Sequence, residues 1–164
     1  MKRLFSSLAL VAVVAIAGGL ACSDDSSRPP GPGSVAGRVT FIGTWPATGD
    51  VQVSVYSSLK APAYRPTGAP DAFTNPILSG TMEFDYELPG LDIGTYTGVL
   101  VSWRVPSNPS GAKIIGAYWF DPDSVAANAT GDTIRTPGPT AIRITTSDPK
   151  HTGLDIKADL DIAP

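Results

Sequence analysis

The chain predicts an all-β fold, a seven-stranded antiparallel sandwich of two sheets behind an N-terminal leader and a Pro/Gly-rich linker. Three observations predict it. Gly 17 and Pro 16 make up about a fifth of the 164 residues, too much for long helices. Hydrophobic residues are 42% and charged residues 16%, a balance that excludes wholesale disorder. From Val35 onward apolar and polar residues alternate with a period of two, the repeat of a half-buried strand. The length suits one domain plus processing segments.

Residues 1–21 read as a secretory leader. Met1, Lys2 and Arg3 form a short positive start, and residues 8–17 are an unbroken apolar run. Residues 4–21 are long enough to approach a membrane span, but two serines and two glycines interrupt them. The single Cys of the chain, Cys22, follows directly. This layout resembles the leader of bacterial lipoproteins. The resemblance implies cleavage between Ala21 and Cys22, a diacylglycerol on the Cys22 thiol and a further acyl chain on its amine. Two or more acyl chains give stable anchoring where one is marginal. The lipoprotein pattern places Leu three positions before the Cys. Here Gly19 stands there and Leu20 follows it, while the small residue Ala21 fits. Gly19-Leu20-Ala21 also reads as an ordinary signal-peptidase site, which would release a soluble secreted protein. Ser23 after the Cys, in place of Asp, implies the outer membrane by analogy with enterobacterial sorting.

Residues 22–34 are the lipidated Cys and a flexible linker. Pro29, Pro30 and Pro32 favour extended backbone, and nothing in the stretch can form a core. Twelve such residues reach about 40 Å at most. Losing Lys2 and Arg3 with the leader takes the 12 basic residues to 10 against 15 acidic, a formal charge of −5. An acidic domain is repelled by anionic headgroups, so its membrane contact is expected through the lipid alone. The absence of any Lys/Arg cluster beyond residue 3 excludes a nucleic-acid binder.

The domain, 35–164, carries the strands in order. Val35, Gly37, Val39 and Phe41 alternate with Ala36, Arg38 and Thr40. Val51, Val53 and Val55 alternate with Gln52, Ser54 and Tyr56. Met82, Phe84, Tyr86 and Leu88 alternate with Thr81, Glu83, Asp85 and Glu87. Residues 95–104 and 113–120 are β-branched and aromatic, with both faces apolar near their middles. Ile142 and Ile144 share a face within 141–146, and residues 154–162 close the domain with Leu154, Ile156, Ala158, Leu160 and Ile162 on one side. Asp121 as a cap and Pro122 in a first turn predict at most two turns of helix over 121–129.

Gly37-Arg38-Val39-Thr40-Phe41 at the start, Leu91-Asp92-Ile93-Gly94-Thr95-Tyr96 at the centre and the closing strand carry a second resemblance. In this order they resemble the transthyretin-like, carboxypeptidase-regulatory-like β-sandwich modules of bacterial surface proteins. Asp92 stands where that pattern has Pro, while Gly94 and Tyr96 match. The resemblance spans about residues 34–162. It implies a non-catalytic spacer, binding accessory or cell-surface module.

Candidate chemistry is sparse, and no enzyme, cofactor or metal site is expected. Glu83, Asp85 and Glu87 share one strand face at about 6.6–6.8 Å spacing, near the separation of glycosidase carboxylates, yet they read more simply as a solvated sheet surface. Asp121, Asp123 and Asp132 lack the run of a calcium loop and read as caps and turns. His151, the one His, sits in a turn without a Gly-x-Ser-x-Gly elbow anywhere. A small hydrolase pairing it with Glu83 or Asp85 is a minor alternative.

Aromatic residues offer more. Trp45, Tyr64 and Trp119 are candidate ligand-binding rings, and a carbohydrate-binding module is the alternative to an accessory domain. Tyr118, Trp119 and Phe120 are consecutive, so they alternate faces and one ring must be exposed or covered by a loop. The patternless stretch 59–76 is the expected binding edge. Expected partners are a membrane, through the N-terminal lipid, and an envelope protein or glycan.

Overall fold

β1 (Gly33–Ile42) organises the first sheet because its alternation leaves Val35, Val39 and Phe41 on one side, all fully buried. The structure is a computed structural model and describes residues 31–119, 129–130, 133–134 and 138–163. Within these the protein is all-β, with several sheets. β1 starts inside the stretch read as linker, and the Gly31 amide already donates to the Gly90 carbonyl at 3.1 Å.

The second sheet is built on β2 (Asp50–Tyr56). Residues read as one long loop then supply β3 (Leu59–Lys60), β4 (Arg65–Pro66) and β5 (Ala72–Phe73). β3 and β4 pair as a hairpin, and β5 adds to the edge of β2. β6 (Glu83–Leu91) runs antiparallel to β1 from Thr40↔Glu83 to Gly33↔Leu91.

The strand expected over 95–104 is divided. β7 (Gly94–Tyr96) pairs with β12 (Ile142–Ile144), whereas β8 (Gly98–Val105) lies between β2 and β9 (Asn108–Ala117). The chain changes sheets at Gly98, where a Cβ would meet Leu59 Cδ1 at 2.9 Å and Pro139 Cβ at 3.0 Å. β10 (Ala129–Thr130) and β11 (Thr133–Ile134) pair antiparallel. The helix expected over 121–129 lies outside the described residues, save Ala129 in β10.

β13 (Lys150–His151) and β14 (Ile156–Asp159) return along β1, and both run parallel to it. This corrects the expectation of purely antiparallel sheets: the first sheet is mixed. A 3₁₀ turn (Leu160–Ile162) follows, capped by the Asp159 carboxylate accepting from the Asp161 amide at 3.0 Å.

Side chains from both four-stranded sheets enter one core. Val35, Val39, Phe41 and Ile156 come from the first, and Val51, Val53, Val55, Val99 and Val101 from the second. Each bulky side chain withdrawn from water contributes about 1.5–3 kcal/mol. A second cluster sits on the reverse face of β8 and β9, where Leu100, Ile114, Ala117 and Trp119 are buried. Leu59 and Tyr64 of the β3–β4 hairpin pack onto it. The second sheet is therefore apolar on both faces, as its sequence suggested, because a loop roofs the far side.

Candidate functional site

A groove lies on the solvent side of β1 and β6. Between β13 and β14 the chain leaves the parallel ladder at residues 152–155 and runs alongside β1 at Gly37. The Leu154 amide donates to the Ala36 carbonyl at 3.1 Å, so this segment stays bonded to the edge of β1. A side chain at Gly37 would overlap the Leu154 carbonyl. Tyr86, opposite Gly37 in the ladder, uses the vacant space and donates its buried hydroxyl to the Leu154 carbonyl at 2.6 Å. Burial pushes the Tyr86 phenol well above its ordinary range.

Beside this segment the groove has a volume of about 630 Å³. Its polar walls are Arg38, Asp85, Glu87, Thr152 and Asp155, and Gly37 and Gly153 also line it. The register places Arg38 opposite Asp85 and Thr40 opposite Glu83, so the guanidinium stands against the acidic row. Arg38 Nε donates to Asp85 Oδ1 at 2.6 Å and Nη2 to Oδ2 at 3.1 Å, a two-pronged pairing. Nη1 donates to Glu83 Oε2 at 3.3 Å. The Arg38 backbone amide donates to Asp155 Oδ1 at 2.9 Å.

The hydrogen bonds from Arg38 hold the Asp85 carboxyl below the usual carboxylate range, and the same pairing raises Arg38. A glycosidic general acid needs a carboxyl shifted the opposite way. Three carboxylates against one guanidinium make the groove negative, suited to a cationic group. Among the described residues no set of three or more His, Cys, Asp or Glu is placed to hold a metal ion. Asp121, Asp123 and Asp132 lie outside those residues.

His151 does not join the acidic row. It pairs with Val35, three residues along β1 from Arg38 and five from Thr40, or about 10 and 16 Å at strand rise. Its Nε2 lies 3.1 Å from the Arg143 carbonyl and 3.8 Å from Asp148 Oδ2. The hydrolase pairing of His151 with Glu83 or Asp85 is not assembled.

The three candidate rings do not form one platform. Trp119 is only 4% exposed, a member of the second cluster, so the expected ligand-stacking ring is a core residue. The alternation of residues 118–120 required a cover, and the β3–β4 hairpin supplies it. Tyr64, half-buried at φ 48, packs against the same cluster, with Gly138 directly beneath its ring. Trp45 instead packs, partly buried, against the main core. Its ring lies 5.1 Å from that of Phe41, and its Nε1 donates to the Thr81 carbonyl at 3.0 Å.

The expected binding edge over 59–76 is tied down along its length. The Ser57 amide donates to Asp71 Oδ2 at 2.5 Å, the Val53 amide to Thr74 Oγ1 at 3.1 Å, and Gln52 Nε2 to the Thr74 carbonyl at 2.7 Å. It roofs one cluster and extends one sheet.

Ala21 and Cys22 lie outside the described residues. The sequence reading overlooked the partnership of Gly37, Tyr86 and Leu154. Its signal was present: a glycine inside a strand marks a close backbone approach. Comparison with protein-family descriptions, curated proteins and solved structures finds no match to this chain.

Proposed function

We propose that this chain is a bacterial envelope lipoprotein whose β-domain is a non-catalytic binding or structural accessory module. One observation carries the anchoring: the lone Cys22 stands directly behind a charged and apolar leader and ahead of an all-β domain. The fold accepts the chain at Gly31 and Gly33, leaving Cys22 and the eight residues 23–30 as the tether. At full extension nine residue steps span about 30 Å, enough to hold the domain clear of the headgroups. The two four-stranded sheets, sharing one core, support reading the domain as a two-sheet sandwich resembling the transthyretin-like surface modules.

A binding role follows from the acidic groove beside β6, the one concave polar surface described above. The outer membrane is the proposed location, reached through acyl chains on Cys22. Labelled palmitate fed to cells making the wild-type chain should enter it, and Cys22→Ala should abolish the label and move the protein to the soluble fraction. A wild-type chain that takes up no label refutes the anchor. A pull-down from envelope extracts then identifies what the domain holds.

A further inference from the structure

β6 has an open side. It pairs with β1 along one edge, and among the described residues no strand pairs with the other. The Phe41 amide donates to the Met82 carbonyl at 2.9 Å, which sets the phase of the ladder. In an antiparallel pair the inward and outward backbone groups alternate. Met82, Phe84, Tyr86 and Leu88 therefore turn their N–H and C=O groups toward β1. Glu83, Asp85 and Glu87 turn theirs outward.

The same three residues hold exposed carboxylates on the solvent face. The reverse face of this edge carries Met82, which is 56% exposed, and Phe84, half-buried against the core. A strand laid along the edge would meet acid on one side and apolar surface on the other. Across β1 on the solvent side stand Arg38, Asp155 and Lys157. Four carboxylates against two cations leave this face negative, and the groove gives long cationic side chains room to enter it.

A second copy is a poor occupant. Antiparallel self-pairing with the faces matched sets Glu83, Asp85 and Glu87 against the same three residues of the mate. Like charges directly opposite are destabilising. The charge thus selects a different chain with the complementary pattern.

We propose that the free edge of β6 takes up an extended segment of a partner protein in which Lys or Arg alternates with apolar residues. The cations face Glu83, Asp85 and Glu87, the apolar residues face Met82 and Phe84, and backbone hydrogen bonds form with the outward groups. This inference rests on the binding-module reading and names the partner's chemistry. It does not depend on acylation.

The probe is the end-blocked heptapeptide Lys-Val-Lys-Val-Lys-Val-Lys, compared with its Glu-for-Lys counterpart and added to the full chain in detergent. Amide hydrogen exchange at Asp85 and Glu87 should slow by about tenfold or more with the Lys peptide and stay unchanged with the Glu peptide. Glu87→Pro removes an outward donor while leaving the ladder to β1 its bonds. It should weaken binding by about tenfold or more at an unchanged unfolding midpoint. Glu87→Lys should shift preference toward the Glu peptide, and it carries the test if the proline variant fails to fold. Equal protection by both peptides, no protection at either amide, or undiminished binding by a folded Glu87→Pro overturns the proposal. A partner captured from envelope extracts equally well by wild type and folded Glu87→Pro also overturns it, while leaving the module reading standing.

Discussion

Replacing Gly37 with Ala tests how closely the 152–155 segment is packed against β1. The added Cβ would stand 2.5 Å from the Leu154 carbonyl carbon and 2.9 Å from the Leu154 nitrogen. These are backbone atoms, so no rotamer change relieves the contact. The segment must lift, which strains the Leu154 amide bond to Ala36 and the Tyr86 hydroxyl bond to the Leu154 carbonyl. Two hydrogen bonds at about 1 kcal/mol each and an overpacking term of about 1–3 kcal/mol oppose a gain of about 0.4–1 kcal/mol from the stiffer unfolded chain. The expected net loss is about 3 kcal/mol. For a domain of about 130 residues the unfolding entropy is about 0.27 kcal/mol/K, so the midpoint should fall by about 11 °C. Thermal and urea unfolding, followed by circular dichroism and Trp fluorescence, measure it. Gly153→Ala is the comparison. Its φ is 74 and its Cβ meets open space, so backbone strain alone should cost about 1–2 kcal/mol. A Gly37→Ala chain within about 0.5 kcal/mol of wild type would refute the argument, because the segment would then not be packed against the strand.

Three further outcomes are expected. Tyr86→Phe leaves the buried Leu154 carbonyl without its donor and should cost about 1–3 kcal/mol in urea unfolding. It should also flatten the alkaline pH dependence. Below about pH 10 folded and unfolded chains both keep the phenol proton, whereas above it the unfolded chain loses protons first and stability falls as pH rises. Burial raises Tyr56 and Tyr96 as well, so the slope should shrink in Tyr86→Phe without vanishing. In Arg38→Gln the Asp85 carboxyl should titrate at a higher pH by NMR, returning toward the usual carboxylate range as its hydrogen-bonding partner is lost. Asp85 stabilises the fold above its unfolded pKa, and that contribution is lost as pH falls through the folded value. The acid-side loss should therefore be smaller in the variant. Trp119→Ala should cost about 3–5 kcal/mol, as for any buried Trp, and Trp45→Ala distinctly less because that ring is only partly buried. Equal losses in the two would contradict their placement in different surroundings.

The β-edge proposal and the anchoring proposal concern opposite ends of β1. Gly33, where the tether enters, pairs with Leu91, and Thr40 pairs with Glu83. Seven steps along the strand separate them, about 23 Å. A partner bound along 83–87 would thus sit on the flank and far end of the domain, away from the point of attachment.

Alternation by itself determined that the chain is all-β and where the long strands run. Val51, Val53 and Val55, or Tyr86 and Leu88, could be assigned to a buried face with no knowledge of their neighbours, because a strand repeats every two residues wherever it lies. The two-residue strands β3, β4 and β5 were illegible, since two residues have no period. Direction was illegible too. Ile156 and Ala158 alternate with Lys157 and Asp159 identically whether the strand runs with β1 or against it, and only the return path through 145–155 made it parallel. Tertiary structure likewise chose between equals at the candidate site. Trp45 and Trp119 were equivalent as letters, but the β3–β4 hairpin covers Trp119, while Trp45 stays half-open beside Thr81. Arg38 and Asp85 are 47 residues apart, and their pairing exists because the β1–β6 register places them opposite each other. Local repetition encodes which face of a strand is dry. Which residues meet across space depends on register, direction and covering loops, all set by how the whole chain packs.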